Sequence, residues 1–214
     1  MQKKATLRAG RPRDENVHRA ILEATRDLIR EEGYSSFSIE GVAARAGVAK
    51  QSIYRRWASK GALLVDLYMD GLQATCPAPP GGFAVDLLAV MLQTTKRLED
   101  AAYKNLLKGL VIEAQTDPEI RKMVLERIIE PRRQAAMDVI RRAVRSGELM
   151  AGVDADMLVD FVFGAVWFNL LLGEATADNR LARRMVDTIQ ALMAPSTTDK
   201  LKDGPRTRSP KKAR

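Results

Sequence analysis

Six side chains able to contact a polyanion fall within seven consecutive positions: Lys50, Gln51, Ser52, Tyr54, Arg55 and Arg56. Lys and Arg neutralise phosphate, and both also match the O6 and N7 acceptors of guanine. Gln can pair with adenine N6 and N7, while a Tyr hydroxyl suits phosphate. Between residues 50 and 60 there are four cations (Lys50, Arg55, Arg56, Lys60) and no acid. That is the charge pattern of a helix lying in a DNA major groove. Covalent chemistry finds no such support. The chain has one His, His18, and one Cys, Cys76. It shows no nucleophile–base pair, no paired-carboxylate motif, no phosphate loop and no metal-ligand spacing. No enzyme, metal or cofactor is expected.

Two short helices joined by a tight turn must present these groups. Ser38 precedes a helical run and can accept a backbone N–H as its N-cap. Gly47 suits the positive φ of a sharp helix-to-helix turn. Val42 and Ala43 belong to the face that meets the second helix, and Val48 and Ile53 lock that helix in place. Lys50, Gln51, Ser52, Arg55 and Arg56 then point outward. An ordinary helical hairpin with a solvated charged face is the alternative.

Residues 14–74 resemble the DNA-binding domain of the TetR family of transcriptional regulators. The pieces that match are GRPR (10–13), ILEATRDLIREEGYSSFSIE (21–40), VAARAGVAKQSIYRRW (42–57) and SKGALL (59–64). Two positions depart from the family pattern. Ala49 stands where Ser or Thr usually caps the recognition helix, and Gly41 replaces the acid that would complete a capping box with Ser38. The resemblance implies an all-α protein: a three-helix, helix-turn-helix domain followed by a larger helical bundle that dimerises. It implies a sequence-specific regulator of a double-stranded DNA operator, most simply a repressor released by a small effector. The expected DNA-facing set is Arg11, Arg13, Ser38, Lys50, Gln51, Ser52, Tyr54, Arg55, Arg56 and Lys60. Tyr54 and Lys60 are read as phosphate contacts.

Charge and punctuation divide the chain. Residues 1–13 carry five cations and no acid, and residues 195–214 carry seven cations and two acids. The net charge of +8 therefore lives in two tails. A basic arm at 1–13 can enter a minor groove through Arg11 and Arg13. The tail at 195–214 is expected to be disordered, and is either a polyanion-binding arm or an inert solubilising segment. The run CPAPPGG at 76–82 separates a DNA-binding domain (14–74) from a ligand-binding and dimerisation domain (83–194). Helices are expected at 18–32, 59–74, 83–102, 103–115, 117–146 with a kink at Pro131, 154–173 and 178–194. No apolar run is long enough for a membrane span, and no signal peptide is visible. A cytoplasmic setting is the default.

Residues 161–172 are apolar nearly all round. Such a helix is either central to one subunit or covered on a second face by a partner. The family resemblance favours a homodimer through the last two helices. Met69, Met91, Tyr103, Leu107, Phe161, Trp167 and Phe168 are candidates to line an effector cavity, with Gln93, Thr94 or Asn169 as polar contacts. A Met and aromatic stripe is equally ordinary core. The competing functional reading is an architectural or constitutive DNA-binding protein without an effector.

Overall fold

The computed structural model describes residues 11–71, 81–173 and 178–193, with side chains from Glu15 onward. Among these residues there are ten α-helices and no strand. Helix α1 (Arg11–Ser36) leads into α2 (Ile39–Ala46), α3 (Lys50–Tyr54) and α4 (Lys60–Asp70). The remainder comprises α5 (Phe83–Thr95), α6 (Ala101–Thr116), α7 (Pro118–Val124), α8 (Glu130–Ser146), α9 (Ala155–Leu171) and α10 (Asn179–Met193).

The caps read from sequence set most of these boundaries. Ser38 Oγ accepts from Gly41 N at 3.1 Å, and Ser59 Oγ from Ala62 N at 3.1 Å. Asp117 accepts from Glu119 N with Pro118 in the first turn, and Asp154 accepts from Met157 N. Gly47 (φ 64°) and Gly147 (φ 76°) end α2 and α8 in the left-handed conformation. Ala49 offers no side-chain cap, so packing alone sets the start of α3.

Three elements differ from expectation. Helix α1 begins at Arg11 rather than near His18, so the backbone of residues 11–13 is helical. Gly33 (φ 75°, ψ 175°) interrupts it where a helix end is expected. The helix expected over 83–102 stops at Thr95, passes through a 3₁₀ turn (Lys96–Glu99), and breaks at an extended Asp100. Asp100 accepts from Ala102 N at 2.8 Å, so it caps α6. The kink expected at Pro131 takes the form of a π turn, Leu125–Ile129, immediately before it. Pro131 lacks the N–H that would bond one turn back, and the wider turn accommodates that gap. The arm at 1–10, the side chains of Arg11 and Arg13, most of the 76–82 run, and the tail from 194 lie outside the described residues.

One continuous apolar core runs from Ile21 in α1 to Val186 in α10. The helices that carry the basic cluster are thereby fused to the bundle. α1 packs on α6, and α4 packs on both α6 and α7. Two glycines allow that closeness. A Cβ on Gly61 in α4 would lie 2.7 Å from Ile120 of α7, and one on Gly109 in α6 would strike the Tyr34 ring.

Candidate functional site

The turn between α2 and α3 is fixed from inside. Val42, Ala43 and Ile53 are buried, and Val48 packs against the same core. Trp57, just past α3, is buried with its indole N–H donated to Asp66 at 2.9 Å. His18 stacks on that indole at 5.0 Å between centroids. This clamp from α1 and α4 holds the end of the short α3, and no motif pointed to it. Its signal was an apolar Trp one turn past Ile53.

With the inner face locked, Lys50, Gln51, Tyr54 and Arg55 are exposed, and Ser52 is half-buried. Three cations depart from a simple outward cluster. Lys50 is ion-paired to Glu40 of α2, and that bond holds the Glu40 carboxyl below its usual range and the Lys50 amine above. Lys50 Nζ also lies 5.7 Å from the Tyr54 ring centroid. Arg56 is half-buried and donates to the Ser52 carbonyl at 2.9 Å. Lys60 does not reach outward: its ammonium sits over the Tyr34 ring at 4.2 Å and the Phe37 ring at 4.9 Å. Burial there draws its pKa below that of an ordinary lysine, against the opposing charge of Glu113. Tyr34 donates its hydroxyl to Glu113 of α6. Burial, reinforced by that carboxylate, pushes the Tyr34 phenol well above its usual pKa. Lys60, Tyr34 and Glu113 thus join α1 and α4 to α6 of the bundle.

The bundle holds a partly open cavity of about 250 Å³. Leu98, Leu107, Ile128, Phe163, Trp167 and Leu170 give it apolar walls, and Arg132, Arg133 and Asp160 are its charged groups. Tyr68 contributes the wall from α4, and Thr94 lines it as expected of a polar contact. Of the candidates read from sequence, Leu107 and Trp167 line this space. Met69, Met91, Tyr103, Phe161 and Phe168 do not. Met91 is fully buried in the core, and Tyr103 packs on Tyr68 at 5.0 Å between centroids. Phe161 (64% exposed) and Phe168 (62% exposed) are on the opposite side of α9 and face outward. Tyr68, one residue before Met69, and Phe163, five before Phe168, are on the cavity side instead. Periodicity located the stripe but not which side of it was hollow.

Leu158, Val159, Val162, Phe163, Val166 and Leu170 bury one face of α9 within the subunit. Phe161 and Phe168 share the other with Met157, Leu171 and Leu172, and all five are exposed. Phe161 also borders a groove between α9 and α10, lined by Leu181, Met185 and Ile189. Among the described residues no helix is long and apolar enough to cross a membrane, and no cluster of His, Cys, Asp and Glu is arranged to hold a metal.

The chain matches two family models. Residues 21–67 match that of the tetR family of bacterial regulatory proteins, and residues 77–189 the tetracyclin repressor-like C-terminal domain. It is 28% identical over 193 residues to the uncharacterized HTH-type transcriptional regulator YdeS of Bacillus subtilis, covering 90% of this chain and 98% of that protein. The solved TetR family transcription regulator SCO0332 is 30% identical, with a TM-score of 0.61, 84% of this chain covered and 100% of that one. The transcriptional regulator FadR from Bacillus subtilis, solved in complex with stearoyl-CoA, shares the fold at 17% identity and a TM-score of 0.62, with coverages of 81% and 97%.

Proposed function

Because the chain belongs to the TetR family of helix-turn-helix transcriptional regulators, we propose that it is a homodimeric repressor whose operator is released when a small, mostly apolar molecule fills the cavity. One observation carries this reading. The cavity and the DNA-facing helices share a wall, because Tyr68 lines the cavity from α4. The first turn of that same helix follows α3 and rests Gly61 against Ile120 of α7. Ile128 and Ile129, in the π turn continuous with α7, also line the cavity. A molecule that moves these walls therefore moves α4, and α4 sets where α3 sits. Two copies must meet two half-sites at once, so a shift of a few ångströms suffices. The molecule must bind the displaced state more tightly than the DNA-bound one.

In this reading Gln51 and Arg55 contact base edges, Lys50 and Tyr54 contact phosphate and adjoining groups, and Arg11 and Arg13 reach the neighbouring minor groove. Phe161, Phe168 and Leu172 cover one another across a two-fold axis with a second copy. The fatty-acyl thioester held by FadR makes an apolar occupant reasonable for this fold. The test begins with sequencing DNA that copurifies with the protein. Apolar and amphipathic compounds are then screened for release of that DNA. The expected result is release by compounds that also bind, with a 5–150-fold loss of operator affinity for a coupling of about 1–3 kcal/mol. Trp167→Ala and Gly164→Leu, both altering the cavity lining, should weaken the response. Compounds that bind the cavity yet leave operator affinity unchanged would indicate a constitutive regulator.

A further inference from the structure

The charges around the cavity are not balanced. Arg133 is ion-paired to Asp160 and stands 4.0 Å from Asp156, so the acid on the cavity wall is already neutralised. Arg132 has no such partner: among the described residues its contacts are a bond from Nη1 to the Ile128 carbonyl at 2.7 Å and the Tyr68 ring, 5.4 Å from the guanidinium. It is half-buried on a wall that is mostly apolar. A guanidinium has five N–H donors in a planar fork, and one bond leaves most of them available. Trp167, which also lines the cavity, adds an indole N–H with no hydrogen-bond partner among the described residues. A neutral occupant would leave the Arg132 charge half-desolvated and unpaired. A cationic one would meet Arg132 with no uncompensated acid to offset it.

We propose that the cavity takes a small amphipathic carboxylate, its apolar body among Leu98, Leu107, Phe163 and Trp167 and its carboxylate on Arg132. This rests on the reading of the cavity as the effector site and adds the chemistry of the head group. The volume of about 250 Å³ lies below the roughly 300–1,000 Å³ of drug-sized pockets, so the body is a short acyl chain or a single substituted ring. The same contact supplies the trigger. Arg132 stacks on Tyr68, the cavity residue that belongs to α4. A carboxylate that draws the guanidinium away alters the packing of α4 directly.

Two matched triads test this by calorimetry on the full chain: octanoate, octanol and octylamine, then 4-phenylbutyrate with its alcohol and amine. In at least one triad the carboxylate should bind about 10–100-fold tighter than the alcohol, as expected for a charge-assisted hydrogen bond. Arg132→Gln should abolish that preference, bringing the carboxylate-to-alcohol affinity ratio to about one, and Arg132→Lys should retain part of it. Equal or tighter binding of the alcohol or amine, no binding by either carboxylate, or full carboxylate affinity in Arg132→Gln would overturn the proposal. Should Arg132→Gln fail to fold, the wild-type triads still decide. The two readings separate on operator DNA. Arg132-dependent binding without release defeats the switch and keeps the head group, whereas release by neutral compounds alone does the reverse.

Discussion

Glu40 changes what the basic cluster can do. The sequence between residues 50 and 60 contains no acid, yet α2 brings the Glu40 carboxylate onto Lys50. In the proposed reading Lys50 must exchange that partner to reach phosphate, while Gln51 and Arg55 stand exposed without rearrangement. Gln51→Ala and Arg55→Ala should each relax preference at one position per half-site, by about 1–3 kcal/mol against the wrong base, read from affinities for single-base operator variants. Glu40→Gln should free Lys50 and steepen the dependence of log affinity on log salt by roughly one unit. Lys60 carries the opposite expectation. Its seat over Tyr34 and Phe37 makes Lys60→Ala a stability variant, costing about 0.5–2 kcal/mol in denaturant unfolding. A fall of about one unit in its salt slope would instead restore the phosphate contact that sequence suggests. The outward positions were legible because they follow from the helical period and the buried Ile53. The pairings were not, since Glu40–Lys50 and Tyr34–Lys60 join residues ten or more apart through tertiary packing.

Caps made the elements legible. Ser38, Ser59, Asp117, Asp154 and Asp178 each accept a backbone N–H from the first turn of the helix they precede. Asp100 does so too, but it follows an unbroken apolar pattern and reads as one long helix with what precedes it. Helix α5 shows the limit of local reading. Gly82 offers no side-chain cap, so Glu148, from beyond α8, accepts the Phe83 N–H at 2.8 Å. Asp86 likewise accepts from Gly81 N at 2.7 Å. These backbone bonds hold both carboxyls below their usual range. Folded pKa values below the unfolded ones make the contribution complete above about pH 4–5 and lost as pH falls through the folded values. Glu148→Gln should therefore narrow the difference in stability between pH 6 and pH 3, measured by urea unfolding. The junction between α1 and α6 gives a second check through one substitution of opposite effect. Gly109→Ala forces a methyl against the Tyr34 ring and should cost about 1–3 kcal/mol. Gly164→Ala meets nothing within 4 Å on α9 and should gain about 0.5–1 kcal/mol by helix propensity.

Across the whole molecule, the continuous core makes a ligand in the bundle and a helix on DNA parts of one body. The fold class was legible because caps, breaks and apolar stripes all agree on helices. The apolar excess of residues 161–172 was legible too, but its division was not: Phe163 and Leu170 are buried within the subunit, whereas Phe161 and Phe168 face outward. Which face of an all-apolar helix meets its own core depends on helices distant in sequence. The pair Phe161→Glu and Phe168→Glu should give soluble, folded monomers in sedimentation at micromolar concentration, with operator affinity greatly reduced. A stable wild-type monomer there would remove the dimer. The most direct measurement is selection of bound sequences from random duplex DNA by the purified full chain. An inverted repeat should be enriched, its half-sites related by about one helical turn, or 34–36 Å, and the enrichment should be lost in Arg55→Ala. Retention of DNA with no enriched sequence, and with affinity set by salt alone, would contradict the sequence-specific repressor and leave an architectural DNA-binding protein in its place.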